Sequence, residues 1–376
     1  MTPLERLLQD QVDAGTLPGA VAVHHRREGT ETVAVGAQDL DTRTPMSPQT
    51  LFFWDSLGKP LTAALALIHV ADGQLDLDAP IEQWLPELAD PQVLADPNGP
   101  LTETVAAHRP VTVEDLLTLR GGLGFTSDFE SPFTAALVEQ LQAGPDPCPL
   151  DRDEFLASAG RLPLAHQPGQ GWTYNTGSTL LGMLLERLTG QPLDVLMAER
   201  LLDPLGIADT MWWVPPAELP RFASRYASTG DAAEPLQRTD PADGLFARPQ
   251  SFPDGAGGLI GTAGDWLTFG AMLLASGRHQ GRQILPAELV ASMMSDHLTE
   301  AQRRQAGIFL DPGEGWGYGG SVRADGSYGW AGGAGTTARV DPRRGEVTIL
   351  LTQVGLDGPQ GAPHLTSFED HVRAAR

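Results

Sequence analysis

Lysine is almost missing from this chain. Of its 25 Lys and Arg residues, 24 are arginine and one is Lys59. Cysteine is as scarce: Cys148 stands alone, which excludes an internal disulfide and fits a reducing compartment. There is no basic block. The 48 acidic residues outweigh the 25 cationic ones to a net charge of −23, spread over the whole length. That argues against nucleic acid and anionic membranes as partners and favours solubility. No apolar run approaches the roughly 20 residues of a membrane span. The longest, over 61–71, is broken by Thr62 and His69. The N-terminus, Met1 to Asp10, has neither a basic start nor an apolar middle, so a cytoplasmic protein is expected. The nine histidines show no H-x₃-H or H-E-x-x-H spacing, and no metal is expected.

What is present describes an ordinary globular protein. The 376 residues are 41% hydrophobic and 19% charged, enough for two domains or one large two-lobed one. Leucines at 4, 7 and 8 predict a helix over 4–14, and apolar runs over 20–25 and 31–36 predict a hairpin. A long buried helix is expected over 56–71, with Pro60 in its first turn, where a missing N–H is tolerated. From 72 to 254 the pattern is mostly helical with Pro/Gly-rich loops, including helices over 113–119, 179–189 and 193–202. Beyond 255 come a helix over 262–276 capped by Thr262, strands over 336–340 and 346–353, and a terminal helix over 364–376. Strands at both ends with helices between predict an α+β lobe from 1–71 and 255–376, into which a helical lobe, 72–254, is inserted.

The one lysine stands in Ser56-Leu57-Gly58-Lys59. Arginine cannot release its proton near neutral pH, whereas a desolvated lysine can. A position that keeps lysine in an arginine-rich chain is therefore a candidate for proton transfer. Residues three apart on a helix lie side by side, roughly 5–6 Å between Cβ atoms, so hydroxyl and amine can hydrogen-bond. With 15 serines among 376 residues, chance would put one there about 4% of the time. A serine hydroxyl becomes a nucleophile when a neighbouring base takes its proton, and burial brings a lysine toward that role. At a helix start, free backbone N–H groups can also hold a developing oxyanion.

A second element is Trp172-Thr173-Tyr174-Asn175-Thr176-Gly177, with one of only four tyrosines at a loop-to-helix entry. A phenol beside an ammonium loses its proton more easily or passes one along; the alternative is a tyrosine simply packed under Trp172. A third is Tyr328-Gly329-Trp330-Ala331-Gly332-Gly333, whose glycines admit a close ligand, or make a plain hairpin.

Ser-x-x-Lys, a Tyr-centred motif and an aromatic-x-Gly strand motif, in this order, resemble the serine β-lactamases and penicillin-binding proteins. The wording is most similar to the class C β-lactamase-related branch, with its family VIII esterases and transesterases. Supporting stretches begin at Val111, Pro204 and Gly257, and the resemblance runs from about residue 4 to 353. It implies a β-lactamase/transpeptidase-like α+β fold: an antiparallel sheet flanked by helices plus an inserted helical lobe, with the site between. It implies Ser56, Lys59 and Tyr174 as catalytic residues, the N–H groups of Ser56 and Gly333 as oxyanion donors, and Trp330, Gly332 and Asn175 as substrate-binding residues. No cofactor is implied. The implied function is hydrolysis of small-molecule carboxylic esters, extending to amides, through an acyl-enzyme on Ser56. β-Lactamase, D-amino-acid peptidase and acyltransferase activities use the same residues, and a non-enzymatic binding protein could keep the fold. The chain departs from the pattern at Tyr174-Asn175-Thr176, where Tyr-x-Asn is usual, and at Trp330-Ala331-Gly332, where Lys-Thr-Gly would hold a β-lactam carboxylate. Arg339 is a candidate substitute cation.

Rival motifs are weak. Gly315-Trp-Gly-Tyr-Gly-Gly320 fits G-x-G-x-x-G but follows no clear strand and opens no helix. Asp296-His297 lacks a G-x-S-x-G partner, and Cys148 between Pro147 and Pro149 reads as a loop residue. The lysine argument makes a direct prediction. Ser56→Ala abolishes turnover, and Lys59→Arg, which keeps the charge, loses at least ~10³-fold in kcat/KM because a guanidinium cannot accept the serine proton. Near-normal rates with arginine would make Lys59 a structural cation.

Overall fold

The computed structural model describes residues 1–144, 146–228, 234–356 and 362–374. Its centre is a seven-stranded sheet built from both ends of the chain. The strands are β1 (Gly19–Arg26), β2 (Gly29–Gly36), β3 (Gly315–Trp316), β4 (Ser321–Val322), β5 (Tyr328–Gly332), β6 (Thr336–Asp341) and β7 (Glu346–Thr352). Their spatial order is β3-β4-β5-β6-β7-β1-β2, and every neighbouring pair is antiparallel. The expected antiparallel sheet flanked by helices is thus observed.

Alternation along β1 explains how both faces are covered. Ala20 and Ala22 join Val33, Val35 and Leu350 on one face, under helices α1 (Pro3–Asp13) and, at the far end of the chain, Pro363–Ala374. Val21 and Val23 point the other way with Val347, Ile349 and Leu351. That face packs on two apolar helices, α2 (Lys59–Ala71) and, later, Ala263–Leu274. A strand paired on both edges and buried on both faces reads as a continuous apolar run, which is the pattern seen over 20–25. Capping follows the sequence signals. Thr2 closes a capping box with Glu5 at α1, and Thr262 accepts from the Asp265 N–H at the start of Ala263–Leu274.

Several expectations need adjustment. The helix expected over 56–71 begins as a 3₁₀ turn, Asp55–Gly58, and becomes α-helical only from Lys59. The hairpin arms run longer than expected, because pairing continues to Arg26 and Gly29 and leaves a two-residue turn. The helix expected over 193–202 includes a π-turn at Ala198–Leu202 and continues through Asp203–Leu205. Between 72 and 254, helices share space with two small hairpins, Gln92–Leu94 with Thr104–Ala106 and Arg225–Ala227 with Gln237–Asp240. The G-x-G-x-x-G segment is the β3–β4 hairpin, and the last two residues of the expected terminal helix, 375 and 376, lie outside the described residues.

Phe269 is fully buried on the helix Ala263–Leu274, edge-on to Trp266 at 5.8 Å between ring centroids. Phe269→Ala should cost about 3–5 kcal/mol of unfolding free energy, read from the shift in a urea midpoint. A loss below about 1 kcal/mol would mean that this helix does not anchor the sheet.

Candidate active site

The segment around Ser56 is pinned from three directions. The short strand Phe52–Phe53 pairs with Ile260–Gly261, and the Trp54 N–H donates to the Leu259 carbonyl at 2.8 Å. The Trp54 carbonyl accepts from Thr336 Oγ1 on β6 at 3.0 Å, and Trp266 Nε1 donates to the Leu57 carbonyl at 3.3 Å. Sheet and helix together hold the 3₁₀ turn, leaving Ser56 6% exposed at the floor of a cavity.

Lys59 is completely buried, and its Nζ donates to Ser56 Oγ at 2.8 Å and to the Ala256 carbonyl at 2.6 Å. Burial lowers its pKa to about 8, although the negative charges of Asp55 and Asp254 act in the opposite direction. A neutral amine fits the same geometry: it can keep one N–H on the Ala256 carbonyl and receive the serine proton on its lone pair.

Tyr174 comes from a different part of the chain. Its backbone exchanges hydrogen bonds with Phe125, at 2.7 and 2.9 Å, and Asn175, at φ 80°, turns the chain into helix Thr176–Thr189. Lys59 Nζ lies 4.7 Å from the centroid of the phenol ring, and Phe309 stacks on the ring at 4.7 Å. Burial pushes the phenol well above its ordinary value, and hydrogen bonding with Ser56 and Trp330 offsets only part of that. Of the two sequence-based expectations, an easily lost phenolic proton is not what burial favours, and a phenol that passes a proton along remains. The ring is in contact with lysine, but desolvation outweighs that contact, so Tyr174 is held as a proton donor.

The motif residues around Trp330 come together in an unexpected way. Trp330 Nε1 donates to Tyr174 Oη at 2.6 Å, so this indole orients the phenol. Gly332 ends β5 beside the Ser56 turn, and Gly333 follows it with its N–H directed at the Asp55 carboxyl. Asn175 lines the cavity, so an amide is available one position earlier than in Tyr-x-Asn. Arg339 does not serve as a substitute cation. It is buried on β6 with Nη2 on Glu314 at 2.7 Å and Nη1 on Ser321 at 2.9 Å, and both partners belong to the fold. Asp296 is paired with Arg303, and His297 stacks on Tyr318. Cys148 does line the cavity, with its thiol pKa raised by burial, which makes it less reactive.

The cavity measures about 170 Å³. Phe53, Phe125, Trp212, Phe246 and Phe252 give it an aromatic wall, and among the described residues its acidic lining consists of Asp55, Asp146 and Asp254, without Lys or Arg. Among the described residues no His, Cys, Asp or Glu cluster could hold a metal ion, and no helix is long and apolar enough to cross a membrane. Sequence reasoning missed Asp55, Asp254 and the Ala256 carbonyl. Only an acid beside the serine and a glycine-rich 255–258 hinted at them.

Comparison with known proteins gives a consistent answer. A family model described as Beta-lactamase matches residues 4–366. The chain is 35% identical to an uncharacterised protein of Mycobacterium tuberculosis (strain CDC 1551 / Oshkosh), over 92% of this chain and 88% of that protein. It is 32% identical to esterase EstB of Burkholderia gladioli, over 95% of this chain and 91% of EstB. Among solved structures, it is similar to EstCE1, described as a hydrolase with promiscuous acyltransferase activity. The TM-score is 0.83 at 23% identity, covering 98% of this chain and 97% of EstCE1.

The buried amine has a consequence for stability. Below about pH 8, Lys59 is protonated in both the folded and unfolded chain, and folding bears the full cost of burying the charge. Between about 8 and the ordinary 10.5 the unfolded chain holds a proton that the folded chain has released, so stability rises with pH. Relative to Lys59→Met, the wild type should gain roughly 2–3 kcal/mol across that window, measured by urea unfolding at several pH values. Parallel curves would show that the amine is not depressed.

Proposed function

The chain belongs to the beta-lactamase family, and from that premise we propose that it is a serine hydrolase of neutral carboxylic esters, a carboxylesterase. The observation that carries this reading is the 2.8 Å contact between Ser56 Oγ and a wholly buried lysine amine with a pKa of about 8. The 32% identity with esterase EstB supports the choice of ester as substrate.

In the proposed reaction Lys59, as the neutral amine, takes the Ser56 proton while Oγ attacks the ester carbonyl. The backbone N–H groups of Ser56 and Gly333 receive the oxyanion. Collapse of the tetrahedral adduct breaks the bond to the alkoxide, which takes a proton from Tyr174, and the phenol is restored from the Lys59 ammonium. Water attacks the acyl-enzyme by the reverse path and releases the acid. Trp330 holds Tyr174 in position, and Asn175 faces the substrate. We further read residues 1–71 with 255–376 as one lobe and 72–254 as the other, so that Ser56 and Tyr174 come from different lobes and meet at the ester. The aromatic cavity wall also favours an organic alcohol as acceptor; acyl transfer then competes with hydrolysis.

β-Lactam turnover is disfavoured. The cavity lining holds three aspartates and no cation to receive a carboxylate, and Arg339 is committed to Glu314. A lost cation–carboxylate contact is worth tens- to hundreds-fold in binding, roughly 2–3 kcal/mol. We expect kcat/KM for p-nitrophenyl butyrate to exceed that for nitrocefin by at least ~100-fold, with adduct mass on Ser56 after a fluorophosphonate probe. The ester rate should climb with pH and level off above about 8, as Lys59 loses its proton. Comparable efficiency on the two substrates would overturn the ester preference, and a probe adduct elsewhere would overturn Ser56.

A further inference from the structure

Asp55, immediately before Ser56, has a conformation and a position that the reaction above leaves unexplained. Its φ is 52°, in the left-handed region that non-glycine residues seldom enter. This backbone turns the carboxyl inward. Oδ1 accepts a long hydrogen bond from Ser56 Oγ at 3.5 Å, and the Gly333 N–H is directed at the same carboxyl. The slot that holds it is built for it. A Cβ on Gly333 would lie 2.6 Å from Asp55 Oδ2, and one on Gly257 would lie 3.1 Å from Oδ1. Neither glycine has a positive φ, so the carboxyl itself, not backbone conformation, is what would crowd a side chain there, closely at Gly333 and slightly at Gly257.

The carboxyl therefore sits beside the serine hydroxyl and against the Gly333 N–H. In the reaction proposed above, that N–H is one of the two donors that receive the ester carbonyl oxygen. Burial raises the pKa of this carboxyl, so it is less firmly ionised than an ordinary aspartate. In either protonation state its oxygen and an ester carbonyl oxygen compete for the one Gly333 N–H, and the charge it carries when ionised repels a developing oxyanion. The charged and titratable groups facing Asp55 are Lys59 from α2, Arg225 from Arg225–Ala227, Asp254 from the loop before Ala256, and the Tyr174 phenol. None is in ion-pair contact with it among the described residues, so no salt bridge locks the side chain in place. The cavity of about 170 Å³ on its open side gives it somewhere to go.

We propose that Asp55 is a specificity-determining residue: it occupies the carbonyl-oxygen site of the free enzyme, and an ester reacts only if its other contacts suffice to displace the carboxyl. The proposal rests on Ser56 being the nucleophile. Small esters, which gain little from the aromatic wall, bear the whole cost of displacement. Esters with a large apolar or aromatic group offset that cost with binding energy from Phe53, Phe125, Trp212, Phe246 and Phe252.

The test compares p-nitrophenyl acetate with p-nitrophenyl 4-phenylbutyrate in the wild type, Asp55→Asn and Asp55→Gly. Asparagine and glycine both accept left-handed backbone, so folding is preserved. Asparagine keeps the bulk and removes the charge; glycine removes both. Asp55→Gly should raise kcat/KM for the acetate about tenfold or more and change the phenylbutyrate less than about threefold, with Asp55→Asn between. Rates that fall on both esters, or an acetate-to-phenylbutyrate ratio that stays at the wild-type value, would overturn the proposal while fluorophosphonate labelling of Ser56 leaves the serine reading standing. Wild-type protein that takes no label on Ser56 would instead overturn the parent reading, and this one with it.

Discussion

The chemistry of this site depends on keeping one amine out of water. Lys59 opens a helix that is buried from Lys59 to His69, because α2 runs beneath the sheet with apolar residues on every side. An ammonium in such a place is costly unless a carboxylate meets it. The contrast with Arg339 is instructive. That guanidinium is also buried, which lowers its pKa, but Glu314 lies 2.7 Å away, its own pKa is lowered, and arginine's high ordinary value keeps the pair charged. Lys59 has only a hydroxyl and a carbonyl within hydrogen-bond reach, while Asp55 and Asp254 act on it from farther off. Residue type and partner together, more than burial alone, separate a structural cation from an amine near neutrality.

The tyrosine is tuned in the opposite direction by the same low-polarity surroundings. Aromatic residues make up only 6% of the chain, yet Trp172, Phe309, Trp316 and Trp330 all pack around Tyr174. Their rings exclude water and hold the phenol protonated, and the Trp330 N–H fixes its direction. One dry environment thus brings the lysine toward neutrality and holds the tyrosine neutral. That pairing suits proton relay, since neither group must first shed a stable charge.

Much of this was legible in the sequence, for reasons that can be stated residue by residue. The Ser56–Lys59 contact spans three positions on a turn entering a helix, and local spacing encodes local contact. The hairpin at β1–β2, the Thr262 cap and the β6–β7 pair are also local, and periodicity and turn residues mark them. The order of three motifs then carried the family and the fold. What could not be read was tertiary. The Ala256 carbonyl reaches Lys59 across 197 positions, and nothing at either residue announces the other. Trp330 stands where the related motif has a cation, which suggests a substrate contact, but the fold turns its N–H toward Tyr174 instead. Arg339 lies on the expected strand, and only the position of Glu314 reveals that it is already paired. The left-handed backbone of Asp55 leaves no trace in sequence, because aspartate is common in ordinary conformations as well.

The acidity of the chain and the character of the cavity belong to the same argument. A net charge of −23 discourages anionic ligands at long range, where salt screens the effect. Inside the cavity screening is weaker, and the lining offers acidic side chains, Asp55, Asp146 and Asp254, and among the described residues no Lys or Arg. The arginine that acts on Asp55, Arg225, is not free to change this. It lies 5.2 Å from the ring centroids of both Phe53 and Phe246 and pairs with Asp146 at 3.2 Å and Asp240 at 3.4 Å. Its charge supports the aromatic wall and is balanced before any ligand arrives. Under the ester hydrolysis proposed for this pocket, recognition would rest on ring surfaces and a few hydrogen bonds, which favour a neutral carbonyl compound over a carboxylate. The family's Ser-x-x-Lys spacing stands at Ser56 and Lys59 with a 2.8 Å contact, while the cavity lining around them holds, among the described residues, no Lys or Arg to receive an anion.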